Sequence, residues 1–352
     1  LSNEDDELRL MAEGAGASPA TRAFTHAEMV ACEACLRANP PTRMNCLYCG
    51  ATLPPAADGD DLRRPTLRTL ETWEQGFNVV LLSPQQASPG LSVDSLTEAA
   101  ALLRLEAGQL REMAQARVPL PLARAAELAE AALVEGKLRA LGWRVEIVPD
   151  AELRVETDAP KRIRKLEIGA DSLAGWASAE GEAARIEWES VTLLVAGRIA
   201  RKRIEVEERR GGRRRRAEGE VIDTREFHED ESALDLYVAG SIVNWRIMAE
   251  NFDYSCLGAA KSLTAAENFT RLVETLGARA PRAAYDDSYR SVRHYLKFAW
   301  PLAEQTGAGN LRRISPGRYN AEAVTSVTNE TQFTRYGRLL QSFRLRELST
   351  PT

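Results

Sequence analysis

The sequence predicts a multidomain α+β protein, on three observations. Four cysteines, Cys32, Cys35, Cys46 and Cys49, stand as two C-x-x-C pairs near the N-terminus. Apolar periodicity over 77–148 reads in the order β-α-α-β-α-β. From about 161 the apolar period shortens to two, the mark of strands, and that run ends at one amphipathic helix. A chain of 352 residues is long for a single core, so several small domains are expected. The expected boundaries are 1–25 for a polar tail, 26–54 for a cysteine module, 55–72 for a linker, 73–150 for an α/β domain, 160–280 for a strand-rich domain and 281–352 for a helical extension.

Composition narrows the function classes. The chain is 44% hydrophobic and 28% charged with a net charge of -5, which gives no global pull toward nucleic acid or anionic membrane. No apolar run approaches the ~20 residues of a membrane helix; VVLLS at 79–83 and VTLLVAG at 191–197 are strand-sized. The first residues, LSNEDDELRL, are acidic where a secretion signal is basic and then apolar, and Met11 is the expected start, with 1–10 an extension. Thiols at metal spacing and a lone Cys256 point to a reducing, cytoplasmic compartment. The Asn-x-Thr sequences at Asn268 and Asn329 then read as chance matches.

The cysteines carry the sharpest chemistry. Each C-x-x-C places two thiolates on one side of a tight turn, and two such turns complete a tetrahedral all-thiolate zinc site. Four protein ligands leave no position for water or substrate, so the expected Zn(2+) is structural. The competing reading of the same spacing is redox-active or disulfide-bonded cysteines. The interval reads C-x2-C-x3-N-x6-C-x2-C, with Asn39 as its Asn. This spacing is similar to the Ran-binding-protein zinc finger, whose Asn braces the two knuckles. The resemblance implies a zinc ribbon, with Asn39 bracing it. Val30 stands where that family has Trp, and Leu36-Arg37 where its ubiquitin-binding members have Thr-Phe.

The next elements follow in order. FNVVLLS (77–83) is a short apolar strand, and Ser92 or Asp94 caps a helix bearing Leu96, Ala100 and Leu103. Gly108 breaks the chain before a second short helix with Leu110 and Met113. VPLPL (118–122) fits only an edge strand because of its prolines. Ala126–Leu141 is a long helix stopped by Gly142, and WRVEIV (143–148) alternates as a strand. This β-α-α-β-α-β sandwich resembles the C-terminal domain of the bacterial ribosomal stalk protein and the related Clp-adaptor fold. FNVVLLS and EGKLRALGWRVEIV carry the likeness.

Alternating apolar residues then mark six or seven short antiparallel strands, at Leu166/Ile168, Leu173, Ile186/Trp188, Ile204/Val206, Leu234/Leu236/Val238, Trp245/Ile247 and Phe252/Tyr254/Cys256. Thr264 and Glu267 form a capping box before a helix with Phe269, Leu272, Val273 and Leu276 inward, stopped by Gly277. Strands, helix and the sequence IEWESVTLLVAGR resemble a bacterial pleckstrin-homology-like domain, which implies an antiparallel β-barrel plugged by its C-terminal helix. In the extension, Tyr289, Val292, Leu296 and Ala299 share one helical face. Asn329 and Gln332 read as a capping pair before a helix with Phe333, Tyr336, Leu340 and Phe343, the two helices joined by a loop. The whole chain resembles uncharacterised bacterial proteins with an N-terminal zinc ribbon.

Arg209, Arg210, Arg213, Arg214, Arg215 and Arg216 surround Gly211-Gly212. Their arginine forks suit phosphate or an acidic protein, while the flanking glutamates suit a solvated hairpin tip, the favoured reading. His26, His228 and His294 are the three histidines, and each reads as a surface residue. No nucleophile elbow, P-loop or dinucleotide fingerprint is present. The expectation is a non-catalytic, cytoplasmic zinc-binding scaffold or regulatory interaction protein whose partner is another protein. The alternatives are an RNA- or ribosome-associated factor, an enzyme with a site scattered across domains, and a protein held at a membrane surface.

Overall fold

A computed structural model describes residues 24–54, 63–82, 92–155, 159–178, 180–210, 220–240, 244–315 and 318–349. Its contacts divide the chain into two units, Leu1–Thr66 and Leu67–Thr352. The first contains a two-stranded antiparallel sheet, β1 (Val30–Ala31) and β2 (Ala38–Asn39), and the two cysteine turns. Among its described residues the buried apolar cluster is Cys32, Cys46 and Leu53, with Val30, Cys35 and Ala51 packed against it.

The second unit begins with the predicted alternation of elements. Strand β3 (Phe77–Leu81) is followed by helices α1 (Val93–Leu103) and α2 (Ala107–Gln115), strand β4 (Leu120–Ala125), helix α3 (Leu128–Ala140) and strand β5 (Val145–Pro149). Ser92 caps α1 by accepting from the Ser95 N–H at 3.0 Å. The break between α1 and α2 falls at Arg104, in the left-handed region, and Gly108 lies inside α2. The antiparallel sheet has the order β4-β3-β5, so the proline-bearing β4 is an edge strand, as its sequence requires. Gly142, at φ 88°, ends α3. Ala131, Val134 and Leu138 bury one face of that helix, which packs on all three strands.

A one-turn helix α4 (Asp150–Leu153) leads to β6 (Lys161–Ile163), β7 (Lys165–Ile168), β8 (Ser172–Trp176) and β9 (Ala184–Glu187). β7, β8 and β9 form a separate three-stranded antiparallel sheet. β10 (Val191–Arg210) and β11 (Glu220–Val238) are 20 and 19 residues long, far beyond the short strands expected. β12 (Trp245–Met248), helix α5 (Ala265–Arg279), β13 (Ala284–Asp286), helix α6 (Tyr289–Leu296), β14 (Ala303–Ser315), β15 (Arg318–Thr328) and helix α7 (Glu330–Ser349) complete the unit. The large sheet runs β14-β15-β10-β11-β12-β6, with β13 beside β10.

Four expectations are corrected here. Among the described residues no barrel closes: the strands of 160–280 split between two sheets, and the pairs β6–β12 and β10–β13 are parallel. Phe252–Cys256 is not a strand; Asp253 accepts from the Ser255 N–H and turns the chain into a 3₁₀ segment at Tyr254–Ala260. Helix α5 passes through Gly277 to Arg279, although Thr264 caps it as predicted. The extension is not purely helical, because the β14–β15 hairpin stands where a loop was expected between α6 and α7.

Two apolar clusters hold this unit. One joins Val79, Leu110 and Leu138 to Leu296, Trp300, Phe333 and Leu339, so the helices of the extension bury the same surface as the α/β segment. The other lies between β7–β9, β10–β12 and α5. Close approach fixes two glycines. A Cβ at Gly197 would meet the Phe333 ring at 2.5 Å, and one at Gly337 would stand 2.0 Å from the Tyr237 hydroxyl. Among the described residues no helix is long and apolar enough to cross a membrane.

Candidate metal centre

The two cysteine pairs sit on the same turn built twice. In the first, the Cys32 N–H donates to the Arg37 carbonyl at 3.0 Å and the Leu36 N–H to the Cys32 carbonyl at 2.7 Å. In the second, Cys46 donates to Ala51 at 2.8 Å and Gly50 to Cys46 at 3.0 Å. Leu36 and Gly50 therefore occupy equivalent positions, and both have positive φ, 57° and 77°. The turn needs a left-handed residue after its second cysteine. Glycine takes that conformation freely, while a leucine there pays about 1–2 kcal/mol.

The turns bring all four sulfurs within 4.8 Å of one another, an arrangement that can hold a metal ion. Across the turns, Cys32 and Cys49 stand 3.6 Å apart and Cys35 and Cys46 3.5 Å. A disulfide needs ~2.05 Å, whereas a tetrahedron of sulfurs around a metal at ~2.3 Å has edges of ~3.8 Å. The donor set thus fits a closed four-thiolate site. Its electrostatics point the same way. The Cys46 thiol works against burial, yet the Tyr48 and Cys49 N–H groups and the Asn39 amide bring it down to about 6. At Cys35 the Arg37 N–H favours the thiolate, but burial and the neighbouring sulfurs push it up to about 12. Four adjacent sulfurs do not all ionise together unless a cation sits among them.

Asn39 is fully buried at the end of β2. Its Nδ2 donates to the Arg37 carbonyl at 2.9 Å and to the Cys46 sulfur at 3.4 Å, and its Oδ1 accepts from the Leu47 N–H at 2.8 Å. One side chain thereby ties the first turn to the second. Leu53 closes the bottom of the site, with its N–H on the Met44 carbonyl at 2.7 Å. The Arg63 guanidinium donates to the Leu53 and Pro54 carbonyls.

Of the arginine candidates, Arg209 and Arg210 end β10, where Arg209 pairs in register with Glu220 and Asn320. Arg213, Arg214, Arg215 and Arg216 lie outside the described residues. His294 is exposed beside Tyr295. Asp286 is engaged by the Tyr336 hydroxyl at 2.9 Å and the Ser288 N–H at 3.1 Å.

Sequence reasoning missed two features. On the cysteine turns, Leu36, Leu47 and Tyr48 are large and exposed, at 82%, 53% and 56% of full accessibility, and the Arg37 guanidinium lies 4.7 Å from the Tyr48 ring centre. The signal was present in the contrast between C-x-x-C-L and C-x-x-C-G. In the second unit, the buried Asp150 accepts from the Gly76 N–H, the Asn78 amide, Arg124 and Arg335, at 2.6 to 3.0 Å. Asp235 likewise binds the buried Arg246 through two 2.7 Å bonds. Asp150 has its lone pairs filled, and Asp235, fully buried, is held by Arg246 and the Tyr237 hydroxyl, so both carboxylates are committed to structural bonds. A cavity of about 410 Å³ beside α7 is lined by Arg154, Arg338 and Gln341, and its lining carboxylate, Glu152, is held by Arg346 at 2.7 Å.

No protein-family model, curated protein or solved structure matches this chain.

Proposed function

We propose that this protein is a non-catalytic interaction protein whose N-terminal module is braced by one structural Zn(2+) on Cys32, Cys35, Cys46 and Cys49. The observation that carries the reading is the exposed apolar group at the tips of the two turns. The four sulfurs support a closed site, which offers a substrate nothing. The same turns display Leu36, Leu47 and Tyr48 to solvent. Leu36 holds a conformation that glycine would take without strain, and such strain kept at an exposed site suits a contact made elsewhere. The partner is a protein with an apolar patch.

Leu36→Gly tests this, because it moves folding and binding in opposite directions. Relief of the left-handed leucine makes the module more stable, by up to about 1 kcal/mol, and zinc stays at one per chain. Loss of the side chain lowers capture of the partner from the native cell at least tenfold. Capture unchanged in Leu36→Gly and in Tyr48→Ser would refute the reading.

A second reading has one observation in its favour. Tyr48 with Arg37 over its ring is the kind of stacking surface that takes a nucleotide base. An RNA gel shift at low salt that disappears in Tyr48→Ser would move the assignment to an RNA-associated factor.

A further inference from the structure

The four sulfurs of the cysteine module differ in their access to solvent. Cys32 and Cys46 are buried, Cys35 is half-buried and Cys49 is exposed. The donor set is closed, yet one of its ligands is left uncovered. The second turn explains this. Gly50 follows Cys49 in the left-handed region, and a Cβ placed on it would meet nothing within 4 Å, so that end of the turn faces open space. Cys46 is the opposite case. Its sulfur accepts from the Tyr48 N–H and from the Asn39 amide, both at 3.4 Å, and Asn39 is fully buried against it.

The exposed sulfur also has a neighbour in place. Cys49 stands 3.6 Å from Cys32, and Cys35 stands 3.5 Å from Cys46. Both contacts run from one turn to the other and not within a C-x-x-C pair. Asn39 holds the turns together by bonding the Arg37 carbonyl on one side and the Leu47 N–H on the other. Closing either gap to a disulfide takes a movement of about 1.5 Å.

We propose that Cys49 is an oxidation site, attacked by a hydroperoxide and resolved by Cys32 as a disulfide between the two turns, with release of the zinc. The proposal rests on the four-thiolate zinc site of the preceding section and adds a way of opening it. A zinc-bound cysteine is a thiolate at neutral pH, so all four sulfurs are in the oxidisable form and access selects among them.

The steps balance with one hydroperoxide per disulfide. The Cys49 sulfur attacks the outer oxygen: an S–O bond forms, the O–O bond breaks, and the leaving oxygen takes a proton from water. The product is a sulfenic acid. The Cys32 thiolate then attacks the Cys49 sulfur. An S–S bond forms, the S–O bond breaks, and the departing hydroxide is protonated to water. Two electrons pass from the sulfur pair to the hydroperoxide. Two of the four ligands are then lost, and the ion with them. A second hydroperoxide joins Cys35 to Cys46 by the same steps, and a thiol reductant reverses both. Leu36, Leu47 and Tyr48 ride on these turns, so the redox state of the site reaches the exposed apolar group directly.

Peroxide titration of the full-length, zinc-loaded chain tests the proposal, in a Cys256→Ser background that removes the fifth thiol. Zinc per chain is measured first, and zinc released to a coloured chelator is then followed as hydrogen peroxide is added. Remaining thiols are alkylated and the chain is digested. Trypsin cleaves after Arg37 and Arg43, between the turns, so a cross-turn disulfide joins two peptides that a disulfide within a C-x-x-C pair leaves separate. Cleavage after Glu33 and after Tyr48 identifies the joined cysteines. The expected result is one zinc at the start, release of most of it by about one equivalent of peroxide, the 32–49 link first and the 35–46 link second, and zinc binding restored by a thiol reductant. If Cys256→Ser does not fold, the native chain gives the same readout, because Cys256 lies in a different tryptic peptide. No zinc at the start overturns the metal site and the proposal with it. With one zinc at the start, three results overturn the proposal alone: zinc retained at about ten equivalents of peroxide; a first link between any other pair, 32–35 and 46–49 included; and Cys49 carried to a sulfinic acid with no link.

Discussion

The cysteine module and the body at 67–352 solve the same problem in opposite ways. Among its described residues the module has a buried apolar cluster of three, Cys32, Cys46 and Leu53, far too small to offset the entropy of ordering them. Its order comes from sulfur and from bonds between near neighbours: Cys32 to Arg37, Cys46 to Ala51, Asn39 to Leu47. The body has two large apolar clusters and seals charged groups inside them. Asp150 reaches Arg124 across 26 positions of sequence and Arg335 across 185. The module is specified by spacing, and the body by encounters between distant segments. The module's ligands come as two pairs, each three residues apart in sequence, so local spacing goes far toward placing the four sulfurs.

Metal removal is the strongest way to break this comparison. Structural zinc supplies about 10–16 kcal/mol of apparent binding free energy in small finger peptides, more than the module can lose and remain folded. Chelation, or Cys46→Ser, is expected to return the amides of Leu36, Cys46 and Gly50 to the exchange rates of an unfolded chain. The amides of β3 and β10 have no ligand among them and keep their protection. Hydrogen exchange read by mass spectrometry separates the two sets. Protection that survives chelation would show that the turns hold themselves.

The body has its own weakest point, at Asp150. Asp150→Ala leaves Arg124 and Arg335 charged and buried with their common acceptor gone, a loss of about 3–5 kcal/mol in urea unfolding. Adding Arg335→Met removes one of those stranded charges and is expected to restore part of the loss. If the double variant is no better than the single one, the carboxylate acts through Gly76 and Asn78 and not through the ion pairs.

These contrasts explain what the sequence could and could not tell. The four sulfurs were legible because C-x-x-C is a local code, and the α/β segment because Ser92, Gly142 and the prolines of β4 punctuate it within a few residues. The far ends of β10 and β11 and the β14–β15 hairpin were not legible. The described side chains of β14 at Glu304–Gly307 are exposed, and AEQTGAGN, with two glycines and no apolar alternation, reads as a loop. Ile204 and Val206 do alternate, but nothing in that pattern says the strand continues past the core. The parallel β6–β12 pair joins residues 84 apart, Trp245 with Lys161, and no turn signal connects them. Asn329 shows the same limit on one residue. Read as a helix cap, it instead accepts from the Ala200 N–H at 2.7 Å and donates to the Arg198 carbonyl at 3.1 Å, stitching the start of α7 to β10.

The smallest effect tests that long-range stitching by pH. Glu330, at the first turn of α7, bonds to Arg162 at 2.7 Å and to Arg246 at 3.2 Å, and Arg201 lies 3.6 Å away. Burial works against its charge, but the Arg162 hydrogen bond and the fields of Arg246, Arg162 and Arg201 hold its carboxyl below the ordinary glutamate value. A depressed acid stabilises the fold fully above its unfolded pKa, ~4.3. That contribution fades as pH falls through the lower folded value, because the unfolded chain takes up the proton first. Asp286 acts with the opposite sign: burial raises its pKa, so acid favours its folded form. A single acid titration therefore mixes gains and losses, and the difference between the native chain and Glu330→Gln isolates one group. That difference is expected to be constant from pH 7 to about 5 and to shrink steadily below ~4.3. A gap that stays constant down to pH 3 would mean that the glutamate contributes shape and not charge, and that the three arginines find their order elsewhere.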